Sequence, residues 1–177
     1  MKKALLFMIM ATMVGTALVA CGKKEETKSE TTEIIEDKEK GEIIENTEVI
    51  KGKGKPAEIN KTIVEYIPMP QERTAEEIKE VYGINLDNVE EYSVVECGRS
   101  PGVGVSMVFK AKDGKVDDVK ADVENYLKTA QKNRTYPEEK EIYENAEVKV
   151  DGDIVYLSIF DNEVSQDAMK KLDDALK

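Results

Sequence analysis

Residues 92–133, YSVVECGRSPGVGVSMVFKAKDGKVDDVKADVENYLKTAQKN, contain the pattern that decides the fold. Apolar and polar residues alternate over 92–97 and again over 103–110, which is typical of half-buried β-strands. The segment 98–102 between them is rich in glycine, so the two strands are expected to form a hairpin. The apolar residues then recur at helical spacing, which predicts a long amphipathic helix over 115–133.

The C-terminal part of the sequence repeats this order. Residues 146–150 alternate, Asp151 and Gly152 suit a two-residue hairpin turn, and residues 153–160 are apolar on both faces. A strand that is apolar on both faces is expected to lie inside a sheet rather than at its edge. A closing helix is predicted to begin within 162–165, where residue types suited to capping occur.

Two hairpins, each followed by a helix, give the order β-β-α-β-β-α. This order predicts an α+β fold, with an antiparallel four-stranded sheet and the helices on one face. The other face would then be open to solvent, to a partner or to the segment 59–83.

A short helix is predicted before the hairpins. Thr74 and Glu77 have the spacing of a capping box, and Gly83 marks the end of this helix. Further upstream, residues 59–67 are rich in β-branched side chains and are followed by two prolines, which predicts an edge strand or an extended segment.

The first twenty residues have the features of a secretory signal. Two lysines precede a 17-residue stretch without charge, which is long enough for a signal peptide but short for a transmembrane helix. This stretch ends in Leu18, Val19, Ala20 and Cys21, which resembles the lipobox of bacterial lipoproteins. We therefore predict cleavage of a 1–20 lipoprotein signal peptide, with an uncleaved membrane helix as the alternative.

Cys21 would then be the lipid-modified N-terminus. Its thiol would carry a diacylglyceryl group, and two fatty acyl chains of the palmitate type anchor a protein stably where one chain does not. The expected location is the cell membrane, with the protein held by lipid on the extracytoplasmic face.

Residues 21–58 are predicted to be a disordered, charged tether. They are rich in lysine, glutamate and threonine and contain no aromatic residue, so they cannot form a core. Two copies of Glu-Ile-Ile-Glu, at 33–36 and 42–45, leave open that this stretch docks on a partner. Residues 59–177 are predicted to form a single α+β domain.

Charge and composition exclude several classes of function. Removing residues 1–20, whose only charges are Lys2 and Lys3, takes the net charge from −11 to −13, which makes nucleic acid an unfavourable partner. The chain has no histidine, which excludes Ser-His and Cys-His catalytic pairs and imidazole metal ligands. With Cys21 acylated, Cys97 has no partner for an internal disulfide and is interpreted as a buried thiol.

Individual motifs indicate no catalytic or metal site. The segment 98–102 matches the G-x-S-x-G pattern of hydrolases, but a strand rather than a helix follows it, so it is interpreted as a hairpin loop. Asp117 and Asp118 suit the first turn of a helix, and the aspartates around 151–161 suit turns and caps. We predict no catalytic residue, no metal and no cofactor.

Two segments resemble the DUF4358 family of small bacterial lipoproteins. These are YGINLDNVEEY at 82–92 and FKAKDGKVDDVK at 109–120. The likeness covers about 75–177 and departs from the family pattern at 97–104. The resemblance implies an exported, lipid-anchored protein of single-membrane bacteria, and it carries over no catalytic or ligand-binding residue.

Three functional hypotheses remain. The first is a non-enzymatic lipoprotein that binds a protein, peptide or cell-envelope component near the membrane. The second is a small-molecule binding module associated with a transporter, which would require a pocket with convergent polar groups. The third is an enzyme that uses two buried carboxyl groups.

Overall fold

The structure, a computed structural model, describes residues 49–177. This region contains five helices and five strands. The helices are α1 (Lys55–Ile63), α2 (Ala75–Glu80), α3 (Val116–Asn133), α4 (Pro137–Glu144) and α5 (Ser165–Leu176). The strands are β1 (Pro70–Glu72), β2 (Val89–Cys97), β3 (Val105–Ala111), β4 (Lys149–Asp151) and β5 (Ile154–Ile159).

The strands form one antiparallel sheet in the order β1-β2-β3-β5-β4. The two predicted hairpins are confirmed, since β2 pairs with β3 and β4 pairs with β5. Strand β5 lies between β3 and β4, as its two apolar faces predict. The sheet has five strands rather than the predicted four because β1 pairs with the end of β2. Pro70 opens this short edge strand, a position where a missing N–H is tolerated.

Helices cover both faces of the sheet, so the prediction of helices on one face is wrong. On the first face, α3 packs over Val94, Met107 and Leu157, which are neighbours across β2, β3 and β5. On the second face, α1 and α5 pack over side chains that include Val108 and Tyr156. The apolar pattern of a helix predicts which side of the helix is buried, but it does not predict which face of the sheet the helix covers. The connections between the elements decide that.

The segment 59–67 is not a strand. Helix α1 spans Lys55–Ile63 and continues into a 3-10 turn at Val64–Tyr66. Pro56 stands in its first turn, and Ile59 and Ile63, four residues apart, are buried against the sheet. The β-branched content suggested a strand, but packing of this face outweighs the weak preference of isoleucine for strands.

Helix α1 begins at Lys55, inside the predicted tether 21–58, and Ile50 is already buried in the core. The helix is also fixed by polar contacts. Asn60 is fully buried and its side-chain amide donates to the backbone oxygen of Ser93 at 3.0 Å and to its hydroxyl at 2.9 Å. The hydroxyl of Ser106 donates to Asn60 Oδ1 at 2.7 Å. A buried polar side chain thus joins α1 to β2 and β3.

Two further local predictions are confirmed. Helix α2 has the expected capping box, in which Glu77 N–H donates to Thr74 Oγ1 and Thr74 N–H donates to a Glu77 carboxylate oxygen. Helix α3 buries four of its predicted apolar positions, which are Val119, Val123, Leu127 and Ala130. None of the helices in the described region has the length and apolar character needed to cross a membrane.

Candidate functional site

The three arginines of the chain line one cleft. The sequence contains 26 lysines and arginines, of which only Arg73, Arg99 and Arg134 are arginines. All three line a cleft of about 300 Å³, which we call the arginine cleft. Arg73 follows β1, Arg99 lies in the loop between β2 and β3, and Arg134 follows α3. The fold therefore gathers cationic side chains that are far apart in the sequence.

Two carboxylates and one tyrosine complete the polar lining of the arginine cleft. Glu96 lies near the end of β2, whereas Glu139 and Tyr143 lie on α4. Glu139 is 9% exposed and accepts a hydrogen bond from the N–H of Gly102 at 2.8 Å. Three positive and two negative side chains thus line the same depression.

Arg73 is held by acidic neighbours. Its guanidinium donates to Glu96 at 3.1 Å and to Glu77 at 3.2 Å, and the hydroxyl of Tyr82 also donates to Glu96. Burial lowers the pKa of Arg73, but Tyr82, Glu96 and Glu77 raise it, and the pKa is raised overall. Arg73 is therefore a charged wall of the cleft whose guanidinium is already paired with two carboxylates.

Arg134 and Arg99 have charges that the described chain does not pair. The guanidinium carbon of Arg134 lies 4.0 Å from the ring centroid of Tyr143, a cation–π contact. Within residues 49–177 neither Arg134 nor Arg99 forms an ion pair. The buried Nε atoms of Arg134 and Arg73 have no hydrogen-bond partner there. A buried donor without an acceptor costs about 1–3 kcal/mol.

The 98–104 loop closes one side of the arginine cleft and is fixed at several points. Gly98 N–H donates to the oxygen of Met69 at 3.0 Å, and Cys97 N–H donates to the oxygen of Gly104 at 2.7 Å. A Cβ atom at Gly102 would lie 2.7 Å from the Cys97 sulfur, so a side chain is excluded there. Glycine in this loop is required by close packing against the end of β2.

Three tyrosines near the cleft have raised pKa values. Burial, followed by the hydrogen bond to Glu96, raises the pKa of Tyr82, and burial together with the charge of Glu96 raises that of Tyr126. Burial also raises the pKa of Tyr143 to about 12, although the positive charge of Arg134 opposes this shift. All three phenols are neutral at pH 7, so their hydroxyls can donate hydrogen bonds.

A second depression adjoins the arginine cleft. It has a volume of about 460 Å³ and lies between the end of α2 and the C-terminal half of α3. We call it the tyrosine groove, since the rings of Tyr82 and Tyr126 line it with their centroids 5.0 Å apart. Val81, which is 73% exposed, also lines it. Glu96 and Arg134 line both depressions.

The structure does not describe the site residues that the sequence predicts. Cys21 and the lipobox residues Leu18, Val19 and Ala20 are outside the described residues, so lipidation stays a prediction. Cys97 is a free, buried thiol at the inner end of the 98–104 loop. Among residues 49–177 no group of three or more acidic or thiol side chains is placed to hold a metal ion.

Sequence reasoning missed the arginine cleft. The sequence around Arg99 indicates only a hairpin connection, and no motif marks Arg73 or Arg134 as site residues. One signal was available, because a chain that uses lysine almost everywhere has kept just three arginines. The planar guanidinium suits carboxylates and phosphates better than an ammonium group does, so rare arginines are candidates for recognition.

Residues 62–160 match the family model described as Domain of unknown function (DUF4358). This span covers more than half of the chain. The chain belongs to the DUF4358 family. No curated protein and no solved structure matches it significantly. The DUF4358 span contains all three cleft arginines, and it confirms the resemblance noted in the sequence, although the matched span begins and ends earlier than the expected 75–177.

Proposed function

We propose that this chain is an extracytoplasmic lipoprotein whose DUF4358 domain binds a ligand through an anionic group in the arginine cleft. The domain acts as a non-enzymatic binding module close to the membrane, and its ligand is a protein, a peptide or another cell-envelope component. One observation carries the proposal: all three arginines line a single cleft, and two of them form no ion pair within residues 49–177.

The chemistry of the cleft favours an anion. Guanidinium groups bind carboxylate and phosphate oxygens through two parallel hydrogen bonds, which are stronger than bonds between neutral groups. The protein as a whole carries a net charge of −11, so an anion is repelled by most of the surface. A local cluster of arginines is therefore needed for binding and also selects the place where binding occurs.

The carboxylates of the cleft support a binding role over an enzymatic one. Glu96 accepts hydrogen bonds from Arg73 and Tyr82, and Glu139 accepts one from Gly102 N–H. Each carboxylate thus holds a neighbouring part of the fold in place. An acid-base pair would need carboxyl groups free to exchange protons with a substrate.

The arginine cleft is tested by titration with sodium phosphate and sodium acetate at constant ionic strength. Three arginines give three Nε–H signals in a nitrogen-edited NMR spectrum, so each guanidinium can be followed separately. We expect saturable shifts of the Arg99 and Arg134 signals, and loss of the Arg99 shift in Arg134→Gln, where the Arg134 signal itself is absent. Lys170→Gln removes an equal charge from α5, on the other face of the sheet, and serves as the control. Equal behaviour of the two variants would contradict the proposal.

The lipid anchor is tested separately. Mass spectrometry of the native product is expected to show that the chain begins at Cys21 and carries fatty acyl chains. Cys21→Ser is expected to move the protein from the membrane fraction to the soluble fraction, since the acyl chains supply the membrane affinity. An unmodified residue 21, or a retained leader, would remove the proposed location but leave the arginine cleft untouched.

A further inference from the structure

We infer that the arginine cleft and the tyrosine groove form one bipartite site for the C-terminal residue of a peptide, with its carboxylate in the cleft and an apolar side chain in the groove. This inference rests on the proposed function and names the ligand class. It needs three properties of the site: the right charge, an apolar wall, and a short distance between the two.

The charge of the arginine cleft suits a single negative charge. Arg73, Arg99 and Arg134 contribute three positive charges, while Glu96 and Glu139 contribute two negative ones. Over these five lining side chains the sum is one positive charge, and Glu77, which pairs with Arg73 from outside the lining, lowers the local charge further, so a ligand with more than one negative charge is disfavoured. A phosphate monoester carries close to two negative charges at neutral pH and would leave an excess in a partly buried site.

The tyrosine groove provides an apolar surface beside the cleft. The rings of Tyr82 and Tyr126 meet at an interplanar angle of 47°, and Ala130 lies beside them along α3. Val81 borders the groove and, at 73%, is more exposed than the other large apolar side chains of the described region. Covering this surface with an apolar ligand group removes it from water, which favours binding.

The two depressions are close enough for one amino-acid residue to occupy both. Arg134 and Glu96 line both depressions, so the two depressions adjoin at these side chains. In a C-terminal residue, the carboxylate and the side chain branch from the same carbon atom. A carboxylate on Arg134 therefore places its own side chain at the entrance of the groove. Capture of a peptide's C-terminal carboxylate is one of the recurring modes of peptide recognition.

The test compares the binding of four small ligands to the complete protein, measured by the shifts of the arginine Nε–H signals. N-acetylphenylalanine has both groups, N-acetylphenylalanine amide lacks the charge, and N-acetylglycine and acetate lack the apolar side chain. We expect N-acetylphenylalanine to bind about tenfold more tightly than N-acetylglycine or acetate, from burial of its ring. We expect the amide to bind at least about tenfold more weakly than the acid.

Variants at exposed positions locate the apolar half of the site. Val81→Asp is expected to abolish the advantage of N-acetylphenylalanine over acetate. Val150→Asp changes another exposed apolar side chain, on β4, and should preserve that advantage. Both positions are exposed, so the variants should fold.

The possible outcomes separate this inference from the proposed function. If N-acetylphenylalanine binds no more tightly than acetate, or if phosphate binds while carboxylates do not, the inference is overturned and the anion cleft stands. If none of the anions shifts the Arg99 and Arg134 signals, the inference and the proposed function both fail. Tight binding of the acid together with the expected loss in Val81→Asp supports both.

Discussion

Asn60→Ala is expected to destabilise the protein far more than a typical helix substitution. The Asn60 side chain is fully buried and takes part in three hydrogen bonds of 2.7–3.0 Å with Ser93 and Ser106. Each buried bond contributes about 1 kcal/mol, and groups left without partners add to the loss. We therefore expect the free energy of unfolding to fall by about 3–4 kcal/mol.

The assay is urea unfolding of the full chain followed by circular dichroism, with linear extrapolation to water. Lys61→Ala is the matched control, because Lys61 is the next residue of α1 and is exposed, and a change of at most about 0.5 kcal/mol is expected. In a double-mutant cycle with Ser106→Ala, the coupling energy should exceed about 0.5 kcal/mol. A loss below about 1 kcal/mol for Asn60→Ala would refute the role of this contact in holding α1 on the sheet.

Three further predictions concern the loop, the second sheet face and the tyrosines. Gly102→Ala should speed the alkylation of Cys97, because the added Cβ would lie 2.7 Å from the Cys97 sulfur and must displace the loop. The alkylation rate is measured by peptide mass spectrometry, and an unchanged rate would contradict this packing. Leu172→Ala should lower the free energy of unfolding by about 2–5 kcal/mol, since Leu172 is a fully buried residue of α5 that packs in the core of the second sheet face, whereas Lys170→Ala, at an exposed position of the same helix, should change it little. Burial raises the pKa of Tyr143 to about 12, against about 10 in an unfolded chain, so the unfolded state loses this proton first and stability should fall as pH rises from 10 to 12. Urea unfolding at pH 9 and pH 11 should show a smaller fall for Tyr143→Phe, and an equal fall would contradict the assignment.

The sequence predicted those parts of the fold whose signal is local. Helix α3 repeats its apolar residues at helical spacing over 18 residues, and Gly152 permits the tight turn between β4 and β5 through its φ of 61°. The sequence failed where the deciding contacts are distant. Isoleucines four residues apart in 59–63 fit a helix as well as a strand, and only their packing on β2 and β3 selects the helix. Strand β1 has three residues, too few for any periodic signal.

The arginine cleft was not predictable because its members meet only after the sheet has formed. Arg73 reaches Glu96 through the pairing of β1 with β2, and Arg134 reaches Tyr143 through the turn from α3 to α4. None of these pairs has a fixed spacing that a motif could describe. Catalytic pairs and metal sites that need histidine could be excluded from the sequence alone, because this exclusion depends on a missing residue type and not on which residues are in contact.

The cover of the second sheet face has a practical consequence for truncated forms of the protein. Helices α1 and α5 lie at opposite ends of the domain sequence, yet they pack together, and the Lys55 ammonium donates to the Leu176 oxygen at 3.3 Å. A polypeptide trimmed to residues 62–160 would lose α5 and nearly all of α1. Val108 and Tyr156 would then face water, and such a fragment should aggregate during recombinant expression. Soluble material for binding studies therefore needs both flanking helices.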